Sequence, residues 1–272
     1  MAPAVLLEKI GKVAKITLNA PERLNAMSLE IAEEFGRIVD SLCEDPSEYG
    51  AVVITGAGRA FSAGGDLGWL RLRSEDTPSR NSEIMHDYYG KFLCVRRLPL
   101  PVVAAINGPA VGAGLCFAMA CDVRVVSAEA KLGFTFVGLG LHPGMGATHL
   151  VASVAGYETA YRLLLTGELV SGAEAHRLRI ATELVPDGPS AVAAALALAE
   201  RMASQGPLAV RATVRSLRQK QDEGLAIALR READAQSQHY PSSDMLEGLT
   251  AVTEKRAPSF TLYESYADTS PP

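Results

Sequence analysis

Between Pro99 and Asp122 the chain reads PLPVVAAINGPAVGAGLCFAMACD, an apolar strand running into an apolar helix with glycines at the joint. Val102 to Ile106 lacks polar alternation, the pattern of a strand buried on both faces. Asn107 to Gly112 reads as a turn, and Gly114 to Ala120 as a helix that is apolar all round. The start of a helix presents unpaired backbone N–H groups and partial positive charge, and small residues let a ligand oxygen approach them. An oxyanion-stabilising site is built this way. Gly112 and Gly114 also fit close packing alone, and these residues by themselves leave both readings open.

The rest of the chain supplies what such a segment needs. With 272 residues, 48% of them hydrophobic, it can bury a sizeable core. Val5 to Ile10 and Val13 to Leu18 are β-rich runs around Gly11-Lys12, read as a hairpin. Ser28 caps a helix to about Leu42, with Ile31, Phe35, Ile38 and Leu42 at helical spacing. Ala51 to Thr55 is a buried strand, followed by a glycine-rich loop from Gly56 to Asp66. Arg71 to Ser79 reads as a mobile polar loop over a site, and Arg80 to Leu98 as a helix. Val123 to Ser127 is another strand, and Lys131 to Gly146 an apolar segment ending in a turn. Ser171 to Glu174 is a capping box opening a short helix. Helices follow over Ala191 to Met202, Leu208 to Lys220, Leu225 to His239 and Asp244 to Glu254, and the polar residues after Tyr263 are expected to fray. This order predicts an α/β fold with crossover connections. A composition shift at Gly206-Pro207 divides an α/β core, 1–205, from a helical region with a polar tail, 206–272.

Several function classes are excluded at this level. A net charge of −5 without a large basic block argues against nucleic acid. Asn107, Gly108 and Pro109 interrupt the one long apolar tract too early for a membrane span, and the N-terminus lacks a secretion signal. Cys43, Cys94, Cys116 and Cys121 lack metal-ligand spacing, so reduced thiols, no metal and a cytoplasmic location are expected. The run AVVITGAGRAF resembles a dinucleotide fingerprint, but Phe61 stands at its third glycine position. Ser62 approximates a nucleophile elbow, yet it lies several residues beyond its strand and is expected to be a loop residue.

Phe61-Ser-Ala-Gly-Gly-Asp66-Leu67, then Asn107-Gly-Pro-Ala-Val-Gly-Ala-Gly114 with Cys121-Asp122, resemble the crotonase (enoyl-CoA hydratase/isomerase) superfamily. Pro143-Gly-Met-Gly146, Leu165-Thr-Gly167, Ser243 to Gly248 and Glu254 to Phe260 extend the resemblance over nearly the whole chain. It implies a spiral of ββα repeats, a helical C-terminal trimerisation region, and a homotrimer or a hexamer of two trimers. It also implies an acyl-CoA substrate, coenzyme A entering as part of that substrate and no separate cofactor. By residue match, the N–H groups of Gly65 and Ala113 hold the thioester oxygen as it becomes an enolate. Ala63 and Asp66 receive the adenine and pantetheine portions, and Arg23 is placed to meet a CoA phosphate. Ala26, Leu67, Trp69, Val111, Gly112, Gly114 and Phe136 complete the expected binding set. Lys255 and Phe260 match positions that reach the CoA of a neighbouring subunit.

The resemblance fails where the chemistry is decided. Hydratases of this kind carry one glutamate two residues after the last glycine of the helix-starting motif and another three residues after the Gly133 position; here these are Cys116 and Phe136. Adding water to an enoyl thioester needs a base and an acid, so ordinary hydration is put in question. Cys116 and His142 are the nearest ionisable candidates, with His86 and Trp69 behind them. An oxyanion hole without a strong base suits loss of CO₂ from a malonyl- or glutaconyl-type thioester. The other alternative is a non-catalytic acyl-CoA-binding protein.

Overall fold

In a computed structural model, the runs Val5–Ile10 (β1) and Val13–Leu18 (β2) pair antiparallel, with Val5 opposite Leu18 and Ile10 opposite Val13. The structure describes residues 2–261, so the tail after Tyr263 lies outside it. Strands β3 (Ala51–Gly56), β4 (Val102–Ile106), β6 (Val123–Ser127) and β9 (Glu183–Val185) add parallel to β2 in a six-stranded sheet ordered β1-β2-β3-β4-β6-β9. Every residue of β3 and β4 is buried, as expected for unalternated apolar runs. A smaller sheet joins β5 (Ala110–Val111), β7 (Lys131–Gly133) and β8 (Val170–Ser171), so the turn expected over 107–112 contains a short strand.

Helices cover both faces. Helix α1 (Leu29–Glu44) starts on Ser28, whose side chain accepts from the Ile31 N–H, and buries Ile31, Ala32, Phe35, Val39 and Leu42. Helix α8 (Gly188–Ala203) lays Ala191, Ala195 and Ala199 on Val53, Val103 and Val125 of the opposite face. Small side chains there let the helix sit close to the sheet. Helix α4 (Ala113–Ala120) is buried at every residue. The stretch expected as a polar loop is instead α2 (Leu67–Leu72), a 3-10 turn at Arg73–Glu75 and the start of α3 (Pro78–Leu93), which Thr77 caps. Asp66 and Thr77 each cap a helix locally, which converts polar residues into helix starts.

Helices α5 (Ala147–Ala155) and α6 (Tyr157–Thr166) went unassigned in the sequence, while α7 (Gly172–Arg177) starts on Ser171 as its capping box requires. Helices α9 (Pro207–Gln221), α10 (Leu225–His239) and α11 (Ser243–Glu254) complete the chain. Helix α10 packs along α3, and its Ala233 joins one hydrophobic cluster with Tyr89, Cys116 and Met145. No described helix is long and apolar enough to cross a membrane.

Helix α9 is fastened to the end of α4 by charge. Arg218, almost wholly buried, donates to both carboxylate oxygens of Asp122 and to the carbonyls of Leu98 and Leu100. Asp122 in turn accepts from the Val102 N–H, tying the clamp to the first residue of β4. Removing one partner of a buried pair strands the other, so Arg218→Ala is expected to cost about 3–5 kcal/mol. The shift of the urea midpoint relative to the parent protein measures it.

Candidate active site

Two asparagines hold the loop after β3: Asn107 ties it to the loop after β4, and Asn25 ties it to the segment after β2. Asn107 accepts from Thr55 Oγ1 and the Gly56 N–H through Oδ1, and its Nδ2 donates to the carbonyls of Gly56 and Gly58. Asn25, wholly buried, accepts from the Ala20 N–H and donates to the carbonyls of Ala57 and Ala60. Loops cannot stay buried with bare backbone polar groups, and these two amides satisfy them.

With the loops fixed, the two glycine-rich motifs dock backbone to backbone. Phe61 and Ser62 donate to the Pro109 carbonyl, and Val111 donates back to Ser62. A Cβ on Gly114 would stand 2.7 Å from Ser62 Cβ and from its carbonyl oxygen, and one on Gly64 would stand 2.5 Å from the Val111 oxygen. Gly64 also has φ +90°, so both space and conformation demand glycine there. The Gly64 Cβ position lies 3.4 Å from the Ala113 nitrogen, which brings the 63–66 loop beside the first residue of α4. Among the described residues neither the Gly65 nor the Ala113 N–H has an acceptor. Gly112 (φ +53°) sends its own N–H to the Gly133 carbonyl, which leaves the next amide free at the helix start. The Leu70 side chain comes within 3.3 Å of the Gly65 Cβ position and gives that amide an apolar flank.

The other expected binding residues divide into groups. Asp66 is a helix cap, 2.8 Å from the Trp69 N–H, and Leu67 is exposed at the first turn of α2. The Trp69 ring stacks on Tyr88 at 4.7 Å, with the Arg73 guanidinium 5.1 Å from it. The Tyr88 hydroxyl donates to the Met27 carbonyl, which joins α3 to the segment before α1, and the Met27 N–H in turn donates to Gly64. Ala26 and Val111 are half-buried beside this loop pair, while Ala63 already gives its N–H to the Leu24 carbonyl. Arg23 is exposed, with its contacts to Glu22 and Glu30 at 3.4 and 3.5 Å. Lys255 ends α11 in the left-handed region, and Phe260 follows it partly exposed. His86 lies on the exposed face of α3, along a groove with Glu33, Arg37 and Asp40 of α1, away from the glycine loops.

Cys116 sits one turn into α4 below Ala113 and is wholly buried. Burial, followed by the nearby Glu232 carboxyl, pushes its thiol well above the ordinary cysteine range, so it stands as a neutral thiol rather than a base. Phe136 is nearly buried, and its carbonyl accepts from Leu139 and Leu141. His142 is half-buried at the turn that follows, with Nδ1 2.6 Å from the Pro143 oxygen.

A polar layer that the sequence did not disclose backs this turn. Glu232 of α10 accepts from the N–H groups of Gly146 and Thr148, at 2.6 and 2.8 Å, and from the Thr148 hydroxyl. Gln236, one turn on, accepts from the hydroxyls of Tyr89 and Tyr240 and donates to the His142 carbonyl. Tyr89 approaches so closely that a Cβ on Gly144 would fall 2.3 Å from its hydroxyl. Burial raises the Glu232 carboxyl to about 7, against the bonds from Thr148 and Gly146 that lower it. A carboxyl raised in the folded state binds more protons there than when unfolded. Stability is therefore expected to fall as pH rises from about 4.5 to about 7, by a few kcal/mol at most, and Glu232→Gln to flatten that slope in urea titrations.

The family model described as Enoyl-CoA hydratase/isomerase matches residues 8–262. A putative enoyl-CoA hydratase of Thermus thermophilus is 40% identical over 256 residues, 94% of this chain and 100% of that protein. A short-chain-enoyl-CoA hydratase of Clostridium acetobutylicum is 32% identical over 253 residues, 93% of this chain and 95% of that protein. Among solved structures, an enoyl-CoA hydratase from Mycobacterium avium subsp. paratuberculosis superposes with a TM-score of 0.82 at 30% identity, covering 95% of this chain and 98% of that one.

Proposed function

Because this chain belongs to the enoyl-CoA hydratase/isomerase family, we propose that it binds an acyl-CoA thioester and stabilises the enolate of its acyl group on the N–H groups of Gly65 and Ala113. The observation that carries this reading is the pair of unclaimed amides on adjoining backbones, one of them at the start of a buried helix. Charge developing on the thioester oxygen meets fixed donors there, with no solvent to reorganise. Coenzyme A comes with the substrate, and no further cofactor enters this reading.

The proton chemistry in this reading follows from the residues at the family's acid–base positions. A neutral Cys116 and an apolar Phe136 stand where a hydratase of this family carries glutamates, so His142 is the group assigned to exchange a proton with the substrate's α-carbon. With Nδ1–H directed at the Pro143 carbonyl, Nε2 is the nitrogen left for that exchange. The same features favour a second reading, decarboxylation of a malonyl- or glutaconyl-type thioester. The bond to the carboxylate breaks, its electron pair moves to the thioester oxygen as enolate, CO₂ leaves, and the α-carbon takes one proton from the imidazolium form of His142 through Nε2, which water then reprotonates. No base is needed for the first step.

Incubation with enoyl-, 3-enoyl-, malonyl- and glutaconyl-CoA, followed by mass, separates these outcomes. Gain of water or migration of the double bond supports the first reading, and loss of CO₂ the second. Binding without any mass change supports a non-catalytic acyl-CoA-binding protein. Ala113→Pro tests the hole itself. Proline is tolerated at the first helical position, and there it replaces the N–H with a ring methylene, which removes the donor and occupies its place. Turnover is expected to fall about 100- to 1000-fold with folding retained, as for loss of one oxyanion donor.

A homotrimeric assembly belongs to the same proposal. The exposed stripe Tyr157, Tyr161 and Leu165 on α6, with Leu208, Leu217 and Ile227 on the C-terminal helices, supports it as apolar surface in want of a partner. Sedimentation equilibrium is expected to give three or six times the chain mass.

A further inference from the structure

We infer that His239 positions His142 for the reaction, and that it does so only as a neutral imidazole. This rests on the reading of the site given above, in which His142 carries the proton.

The observation is a latch between one helix and one turn. Residues 232, 236 and 239 fall on one face of α10 and between them bind both backbone polar groups of His142 and the amides of Gly146 and Thr148. His239 Nδ1 accepts the His142 N–H at 3.0 Å, Gln236 Nε2 donates to the His142 carbonyl at 2.7 Å, and Glu232 takes the Gly146 and Thr148 amides. The orientation of Gln236 is not free, because two tyrosine hydroxyls occupy its Oε1 and leave only Nε2 for His142. The backbone on both sides of the His142 side chain is thus held from α10, across 94 and 97 residues of sequence.

Of the two bonds to the His142 backbone, only the one to His239 has a titratable acceptor. A protonated Nδ1 would point its own hydrogen at the His142 N–H, donor against donor, and the bond would be lost. The charged and titratable groups facing the His239 ring are His142 from the turn, 6.4 Å away between ring centroids, and Asp244 from α11. Burial and then His142 hold the His239 imidazole below the ordinary histidine range, and Asp244 opposes them. Protonation is disfavoured in the folded state, so the latch is complete above the ordinary histidine value and is lost as pH falls through the lowered one.

The test uses the full chain labelled with ¹⁵N-histidine, whose five histidines give five amide signals. The His142 amide is expected to shift with the titration of His239 in the parent protein. In His239→Asn, whose Oδ1 supplies an acceptor that does not titrate, that step is absent. In His239→Leu it is displaced at every pH. On the thioester that the mass panel identifies, His239→Leu is expected to lower kcat about 10- to 100-fold with KM little changed, the size of effect that misplacement of a reacting group produces. His239→Asn restores kcat and removes the acid limb due to His239. A His142 amide indifferent to the ionisation of His239, or a leucine variant with parental kcat, would overturn the inference. If the leucine variant does not fold, the asparagine variant decides through its pH profile: an unchanged acid limb overturns the assignment. The amide titration needs no ligand, so it reports on the latch even where every thioester fails. Failure of all thioesters removes the functional reading and, with it, the role of His142 in reaction.

Discussion

The close approach of two loop backbones is the constraint on which the rest of this molecule depends. At Gly64 and Gly114 a single added carbon would meet main-chain atoms at 2.5–2.7 Å, where neither partner can yield without moving a strand end. That contact places the Gly65 and Ala113 amides on neighbouring backbones, and it exists only because β3 and β4 are adjacent in one parallel sheet. The sheet fixes the strand ends, Asn25 and Asn107 fix the loops that leave them, and the glycines let those loops touch. Fold and candidate site are therefore one construction, with the apolar runs Ala51–Gly56 and Val102–Ile106 as its foundation.

Behind the loops, the molecule resolves a conflict between chemistry and burial. A site of the kind proposed needs donors but little water, and the floor beneath Ala113 is apolar, down to a thiol that burial keeps neutral. The polar groups that back the turn 142–148 are satisfied as a set. Glu232, Gln236, Tyr89 and Tyr240 share hydrogen bonds with one another or with the turn 142–148, so the layer is rigid rather than solvated.

Much of this was legible in the chain, and the limits of legibility have physical causes. The hairpin, β4, β6 and α10 fall on the expected residues because their signals are local: turn chemistry, unbroken apolar runs and helical periodicity. A helix start after Gly112 was legible for the same reason, one residue late at Gly114, while Ala113 itself was named only through the family resemblance. Arg71 to Ser79 misled because capping residues and prolines mark helix starts as readily as loops. Helix α5 was missed because its start, Gly146, offers no side-chain cap, and the carboxylate that serves it is Glu232. The α10 face that grips His142 looks like an ordinary solvated face in sequence. Residues 232, 236 and 239 share that face, but the turn they hold lies about 90 residues away in sequence.

The remote cap on α5 also bears on how the chain is made. Glu232 follows Gly146 by 86 residues, and those residues include α6, α7, α8 and α9. At a synthesis rate of about 5–20 residues per second, the first turn of α5 leaves the ribosome roughly 4 to 17 seconds before its cap exists. Until then the amides of Gly146 and Thr148 lack their native acceptor, and the His142 turn lacks both of its side-chain anchors. The sheet can assemble during that interval from β1 to β9, whereas the turn carrying His142 becomes ordered only when the C-terminal helices arrive. Biogenesis thus finishes at the candidate site, whose last component is supplied by the last fifth of the chain.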